Sequence, residues 1–188
     1  MAKYNIEQDV KKVLITEEQI KSAVKRIADE ITRDHADSDR ELLLVCILKG
    51  SLPFTSDLMK EIRIPCILDF MKVSSYGSET ISTGQVKIKY DLSYETLENY
   101  DVVVVEDIID TGHTLSNLLV HLKSRNAHSV KLCALVDKPD RRQIDVKVDY
   151  CGYTIPDEFV IGYGLDYDEK YRNLPYIGVL KEEVYLNK

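Results

Sequence analysis

The chain has 188 residues, 44% of them hydrophobic and 30% charged, with a formal net charge of −7. That length favours one domain with a substantial core, and the composition is ordinary for a globular protein in water. The acidic balance argues against the basic footprint of a nucleic-acid binder, and no apolar run reaches the ~20 residues of a membrane helix.

The opening stretch, MAKYNIEQDVKKV, lacks the apolar centre of a signal peptide. Thr16 then opens a helix. Gln19 completes a Thr-x-x-Gln capping box, and Ile20, Ala23, Val24, Ile27 and Ile31 recur at helical spacing. HADSDRE breaks the pattern. Residues 42–48 (LLLVCIL) are apolar throughout, as in a strand covered on both faces. They end in Lys49-Gly50-Ser51, and Pro53 starts a second helix through Leu58 and Ile62. Residues 64–74 read as extended. SSYGSETISTGQ, residues 74–85, is polar and glycine-bearing, so it reads as a loop or long hairpin. Val86, Ile88 and Tyr90 alternate with polar residues, as in a half-exposed strand.

Residues 101–119 read DVVVVEDIIDTGHTLSNLL. Four valines, 102–105, form a β-branched run suited to a buried parallel strand. Glu106, Asp107 and Asp110 follow with Thr111, Gly112 and Thr114, and this stretch reads as an acidic turn. Leu115, Leu118, Leu119 and Leu122 then take helical spacing. Residues 130–136 (VKLCALV) give another buried strand, ending in Asp137-Lys138-Pro139. The last fifty residues, rich in Tyr, Gly and Pro, predict short strands and loops without further helix. Strands alternating with helices predict an α/β fold with a central, mostly parallel sheet flanked by helices. We expect a single domain over 1–188. Its core spans about 16–150, and a small cap, or hood, comes from 151–188 with 1–15. The four cysteines, Cys46, Cys66, Cys133 and Cys151, have neither Cys-x-x-Cys nor zinc-ligand spacing. They read as reduced structural thiols, which implies a cytoplasmic setting.

In a parallel sheet the strands ending at Lys49, Glu106 and Lys138 finish on one edge, where ligands bind. The 110–114 turn offers N–H groups and threonine hydroxyls suited to a phosphate monoester. The chain has neither Gly-x-x-x-x-Gly-Lys nor a Gly-x-Gly-x-x-Gly after a strand, so a triphosphate loop and a nicotinamide site are unsupported. The acids suit ribose hydroxyls, a proton or a hydrated Mg2+. From spacing alone Asp110 reads equally as a helix cap and as a catalytic group. Lys49 and Lys138 read singly as solvated lysines, Phe159 as core, and Asp166 as a turn acid.

VVVVEDIIDTGHT resembles the ribose-phosphate signature of type I phosphoribosyltransferases. LLLVCILKGSLPF, FMKVSSYGSETISTG, ALVDKPDRR and IPDEFVIGYGLDYDEKYRNLPYIGVL narrow the resemblance to the bacterial hypoxanthine–guanine phosphoribosyltransferase family, from Val13 to Leu180. The resemblance implies the type I phosphoribosyltransferase fold and a purine-salvage reaction. In that reaction the 5-phosphoribosyl group of phosphoribosyl pyrophosphate (PRPP) passes to N9 of hypoxanthine or guanine, giving IMP or GMP and pyrophosphate.

By the same resemblance Asp110, Thr111, Gly112, His113 and Thr114 hold the 5′-phosphate. Glu106 and Asp107 face the ribose hydroxyls and a Mg2+, and Asp166 helps to ligate a Mg2+ on the pyrophosphate. Asp110 also serves the N7 proton as general base. Leu48, Lys49 and Gly50 form a pyrophosphate loop, in which such proteins often have a cis Leu–Lys bond, and Arg172 contacts the same pyrophosphate. Lys138 donates to the purine O6, Phe159 stacks on the base, and the Val160 backbone reads its edge. Ser75 and Tyr76 lie on a mobile loop. His113 sits where such proteins vary, and its side chain reads as exposed. Arg141 and Arg142 stay open between the site, a subunit contact and plain surface charge. A homodimer or homotetramer is implied, with no nucleic-acid or membrane partner. A PRPP-sensing regulator that binds nucleic acid is disfavoured by the charge of −7. Lys138, Phe159 and the 159–166 segment weigh against a pyrimidine-specific sister enzyme, whereas preference among hypoxanthine, guanine and xanthine is not legible.

Overall fold

Helix α1 (Glu17–His35) starts where its capping box puts it: Thr16 Oγ1 accepts from the Gln19 N–H at 3.3 Å and Gln19 Oε1 from the Thr16 N–H at 2.8 Å. The computed structural model describes residues 5–74 and 87–186. Residues 75–86, with Ser75, Tyr76, Val86 and most of the expected loop, lie outside that range.

Strands β2 (Glu41–Ile47), β3 (Cys66–Ser74), β4 (Lys87–Tyr90), β5 (Tyr100–Ile109), β6 (Ser129–Asp137) and β7 (Tyr150–Thr154) form the main sheet in the order β4-β3-β2-β5-β6-β7. All neighbours are parallel except β3 and the edge strand β4. The apolar runs follow from two covered faces. Leu42, Leu44, Val103 and Val105 pack with Ile27 and Ile31 of α1 and with Phe54 and Leu58 of α2 (Leu52–Glu61). Leu43, Val45, Val102 and Val104 pack instead with Leu115, Leu118 and Leu122 of α3 (His113–Ser124). Val102 to Val105 are each 0% exposed. Each such side chain contributes about 1.5–3 kcal/mol by leaving water.

Two elements differ from expectation. Strand β5 runs through Ile109, so Glu106 and Asp107 lie inside it rather than in a turn. Ladder pairs Glu106↔Ala134 and Ile108↔Val136 carry the strand past the valines, because β6 runs alongside as far as Asp137. The C-terminal part also holds a short helix, α4 (Glu182–Leu186), with two acids in its first turn where the helix dipole favours them. Strand β7 adds residues 150–154 to the main sheet. A second sheet of β1 (Val10–Ile15), β9 (Ile177–Leu180) and β8 (Val160–Ile161) joins the two ends of the chain, all antiparallel. Its small core holds Ile161, Tyr171, Leu174 and Leu180, with Ile6, Tyr167, Val184 and Tyr185 packed on it.

At the edge of the sheet where β5 begins, Asp101 is 5% exposed and ties three segments together. It accepts from Ser38 Oγ at 2.6 Å and from Ser129 Oγ, and His128 Nδ1 lies 2.9 Å away. Burial pushes its carboxyl up, but the bonds from Ser129, Ser38 and His128 outweigh that and hold it well below the usual range.

Candidate active site

Because β2, β5 and β6 are parallel, their C-terminal ends share one edge. From β2 the chain enters a tight turn at Lys49-Gly50, and the Leu48–Lys49 peptide is cis. Gly50 is a steric requirement. A Cβ there would lie 1.6 Å from Asp107 Oδ2. On the other side Gly164, at φ +101°, brings its backbone so close that its own Cβ would lie 1.9 Å from Gly50 O. The 48–50 turn is thus held between the end of β5 and the segment after β8.

At the end of β5, Glu106 and Asp107 are half-buried as residues, but Glu106 Oε2 is sealed from solvent and has no hydrogen-bond partner among the described residues. Burial, and then the neighbouring Asp107 charge, push the Glu106 carboxyl well up. Burial likewise pushes Asp107 up to about 6, against the pull of the Ile108 N–H, which it accepts at 2.8 Å.

Asp110 does not cap α3. Gly112 stands at the N-cap with φ +88° and, as glycine, offers the helix no side-chain cap. A Cβ on Gly112 would lie 2.6 Å from Ile144 O, so glycine is needed for space as well as conformation. A helix start leaves its first N–H groups without intrahelical partners. Thr111, Gly112 and Thr114 line a cleft of about 330 Å3 with Leu48, Lys49, Gly50, Glu106, Asp107 and Asp110. His113 is absent from that lining; its Nε2 lies 2.9 Å from Gln143 Oε1.

An adjoining cavity of about 500 Å3 shares Asp107, Ile108 and Asp110 with the cleft and adds Lys138, Phe159, Val160 and Asp166. Lys138, 8% exposed, donates to Glu158 O and lies 3.7 Å from Asp157. Phe159 is 40% exposed. Arg172 lines neither space. Its Nη1 donates to Gly164 O at 2.7 Å, and its Nη2 pairs with Asp166 at 2.9 Å and with Glu169 at 3.2 Å. Glu169 pairs in turn with Lys49 at 2.8 Å. One carboxylate therefore bridges the two cations expected at a pyrophosphate.

A family model for the phosphoribosyl transferase domain matches residues 14–168. The hypoxanthine-guanine phosphoribosyltransferase of Streptococcus thermophilus is 50% identical over 180 residues, 96% of this chain and 98% of its own length. That of Bacillus subtilis is 49% identical over 180 residues, again 96% of this chain and 98% of its own. The chain belongs to the hypoxanthine-guanine phosphoribosyltransferase family. A crystal structure of a hypoxanthine phosphoribosyltransferase from Staphylococcus aureus matches with a TM-score of 0.91 and 48% identity, over 98% of this chain and 99% of that one.

In this hypoxanthine-guanine phosphoribosyltransferase fold, the residues singled out from sequence gather in the two joined spaces, with four exceptions. The His113 side chain turns to Gln143, Arg172 sits behind Asp166 and Glu169, and Ser75 and Tyr76 lie outside the described residues. Arg141, left open from sequence, reaches the site: its Nε donates to Asp110 Oδ1 at 3.0 Å, and it lies 3.7 Å from Asp157. Arg142 pairs with Asp137 instead. Sequence reasoning missed Asp157, Glu169 and Tyr185. The first two stand beside recognised residues and were readable as cation partners; Tyr185 gave no signal. Among the described residues no helix is long and apolar enough to cross a membrane.

Proposed function

We propose that this chain transfers the 5-phosphoribosyl group of PRPP to N9 of hypoxanthine or guanine, releasing pyrophosphate and forming IMP or GMP. The observation that carries this reading is the seam of Asp107, Ile108 and Asp110, shared by a phosphate-suited cleft and a cavity with an exposed aromatic ring. A sugar bridging the two spaces presents its reacting carbon at that seam.

The C1–pyrophosphate bond breaks as the C1–N9 bond forms, and positive charge grows on the ribose ring. The Thr111–Thr114 turn anchors the 5′-phosphate through backbone N–H groups and hydroxyls. Lys49 and Arg172 receive the leaving pyrophosphate, exchanging Glu169 for phosphate oxygens. Asp110 accepts or holds the N7 proton, and Phe159 and Lys138 orient the base. Beyond the N–H that Lys138 gives to Glu158 O, its nearly buried ammonium has a donor that matches a 6-oxo group, whereas a 6-amino group would meet it donor to donor.

A Mg2+ fits the same acids. Glu106 Oε2 has no hydrogen-bond partner among the described residues, and a carboxyl turned toward the cleft it lines would meet a cation or ribose hydroxyl. Glu106, Asp107 and Asp166 would hold the ion. Among the described residues no cluster of three or more His, Cys, Asp or Glu forms a ready metal cage, so substrate oxygens and water would have to complete the shell. When bound, Mg2+ neutralises charge on the departing pyrophosphate. All four cysteines are free, which supports a reducing, cytoplasmic setting. Leu52 and Met59, exposed on α2 seven residues apart, offer apolar surface suited to a second copy in a homodimer or homotetramer.

The test is nucleotide formation from hypoxanthine or guanine with PRPP and Mg2+, followed by competition with xanthine. A chelator stops the reaction and added Mg2+ restores it. No nucleotide from either base refutes the proposal.

A further inference from the structure

The purine side of the site includes a residue from the last turn of the described chain. Phe159, Tyr167 and Tyr185 form an aromatic trio. The Phe159 and Tyr185 rings stack, with centroids 5.0 Å apart and planes 20° from parallel. Tyr167 meets Phe159 edge-on, at 5.6 Å and 85°. A base inserted between two rings needs about 7 Å between their planes, twice an optimal carbon–carbon contact of roughly 3.5 Å. At 5.0 Å between centroids, nothing fits between Phe159 and Tyr185. Yet Phe159 is 40% exposed and lines the cavity with Ile108 and Lys138.

We propose that Tyr185 is a positioning residue for the purine. It backs one face of Phe159, Tyr167 blocks rotation from the edge, and the opposite face is presented to the base. This rests on the reading that Phe159 stacks on the base. Without Tyr185 the Phe159 ring is free to turn about χ1 and χ2 and loses the flat presentation that stacking needs. The platform is anchored away from the site. Lys181 N–H donates to Asp9 O at 2.9 Å, Lys11 pairs with Glu182 at 3.3 Å, and Val184 and Tyr185 pack on the small core of the second sheet. The two ends of the chain thus hold the ring that orients the base.

The test separates base from PRPP kinetics. Tyr185→Leu keeps apolar bulk but removes the ring. It is expected to raise KM for hypoxanthine roughly 3–10-fold, the scale of one lost aromatic pair, with little change in KM for PRPP. Tyr185→Phe keeps the ring and restores the parent value. In a Phe159→Leu background, Tyr185→Leu adds nothing further. A lower KM for hypoxanthine in Tyr185→Leu overturns the platform, because it means that Tyr185 competes with the base. Equal rises in both KM values overturn it as well, since they mark a general structural role. If Phe159→Leu itself leaves KM for hypoxanthine unchanged, the stacking reading fails first. If it raises that KM while Tyr185→Leu does not, only the platform fails.

Discussion

Replacing Gly50 by alanine tests how tightly the pyrophosphate turn is fitted to the end of β5. The new Cβ lies 1.6 Å from Asp107 Oδ2 and 2.7 Å from its Cγ, about 2 Å short of ordinary contact. The turn cannot retreat, because the Gly164 backbone abuts Gly50 O on its other side. Asp107 must move, losing its 2.8 Å bond from the Ile108 N–H. Overpacking of this kind costs about 1–3 kcal/mol, or roughly 2–12 °C in Tm for a chain of this size. Catalysis suffers more, since a displacement of about 1 Å at a reacting centre lowers rates roughly 10²-fold. We therefore expect kcat/KM for PRPP to fall about 10²-fold or more, read by absorbance as hypoxanthine becomes IMP. Lys49→Ala is the control: it removes the ammonium without placing an atom against Asp107. A Gly50→Ala enzyme with parental kcat/KM and Tm would refute the argument, and with it the close approach of the two strand ends.

Asp110→Asn lowers kcat by roughly 10²–10⁴ if the carboxylate accepts the N7 proton; an unchanged rate removes Asp110 from the chemistry. Lys138→Ala lowers the hypoxanthine-over-adenine ratio of kcat/KM by roughly 10–10², because the donor that penalises a 6-amino group is gone; an unchanged ratio places discrimination elsewhere. Asp101 predicts a pH dependence of stability. Its folded carboxyl titrates below the unfolded value of about 3.9, so its stabilisation is present above that pH and is lost as pH falls through the folded value. Asp101→Asn should therefore cost about 1–3 kcal/mol in urea unfolding near pH 7, with the gap narrowing below about pH 4. A gap constant across that range contradicts the assignment.

The sheet was legible because strands covered on both faces need continuous apolar runs, and 42–48, 102–105 and 132–136 supply them. The start of α1 was legible because Thr16 and Gln19 are a local device. The full length of β5 was not. Glu106 and Asp107 continue the strand because β6 pairs with Glu106, Ile108 and Ile109 around them, and in one dimension such carboxyls look like turn acids. Helix α4, with five residues, is too short to show periodicity. In the site, the strand-end residues were readable because parallel topology forces them onto one edge. Arg141 was ambiguous because its partner, Asp110, is far off in sequence. The need for glycine at position 50 was hidden for the same reason: the atom that forbids a side chain there belongs to Asp107. Spacing left Asp110 balanced between cap and catalyst, and the structure removes the cap by placing Gly112 at the helix start.

The pairing of β1 with β9 also sets an order of events during synthesis. Residues 10–15 leave the ribosome long before their partners, 177–180. The cup at the start of α3 is made from neighbouring residues and is complete once β5, α3 and β6 have emerged. The wall bearing Phe159 and Tyr185 waits for residues 177–186, and it carries the long loop-closure cost of joining distant parts of the chain. A nascent chain stalled before residue 177 therefore has its phosphate cup but not the sheet that frames the base.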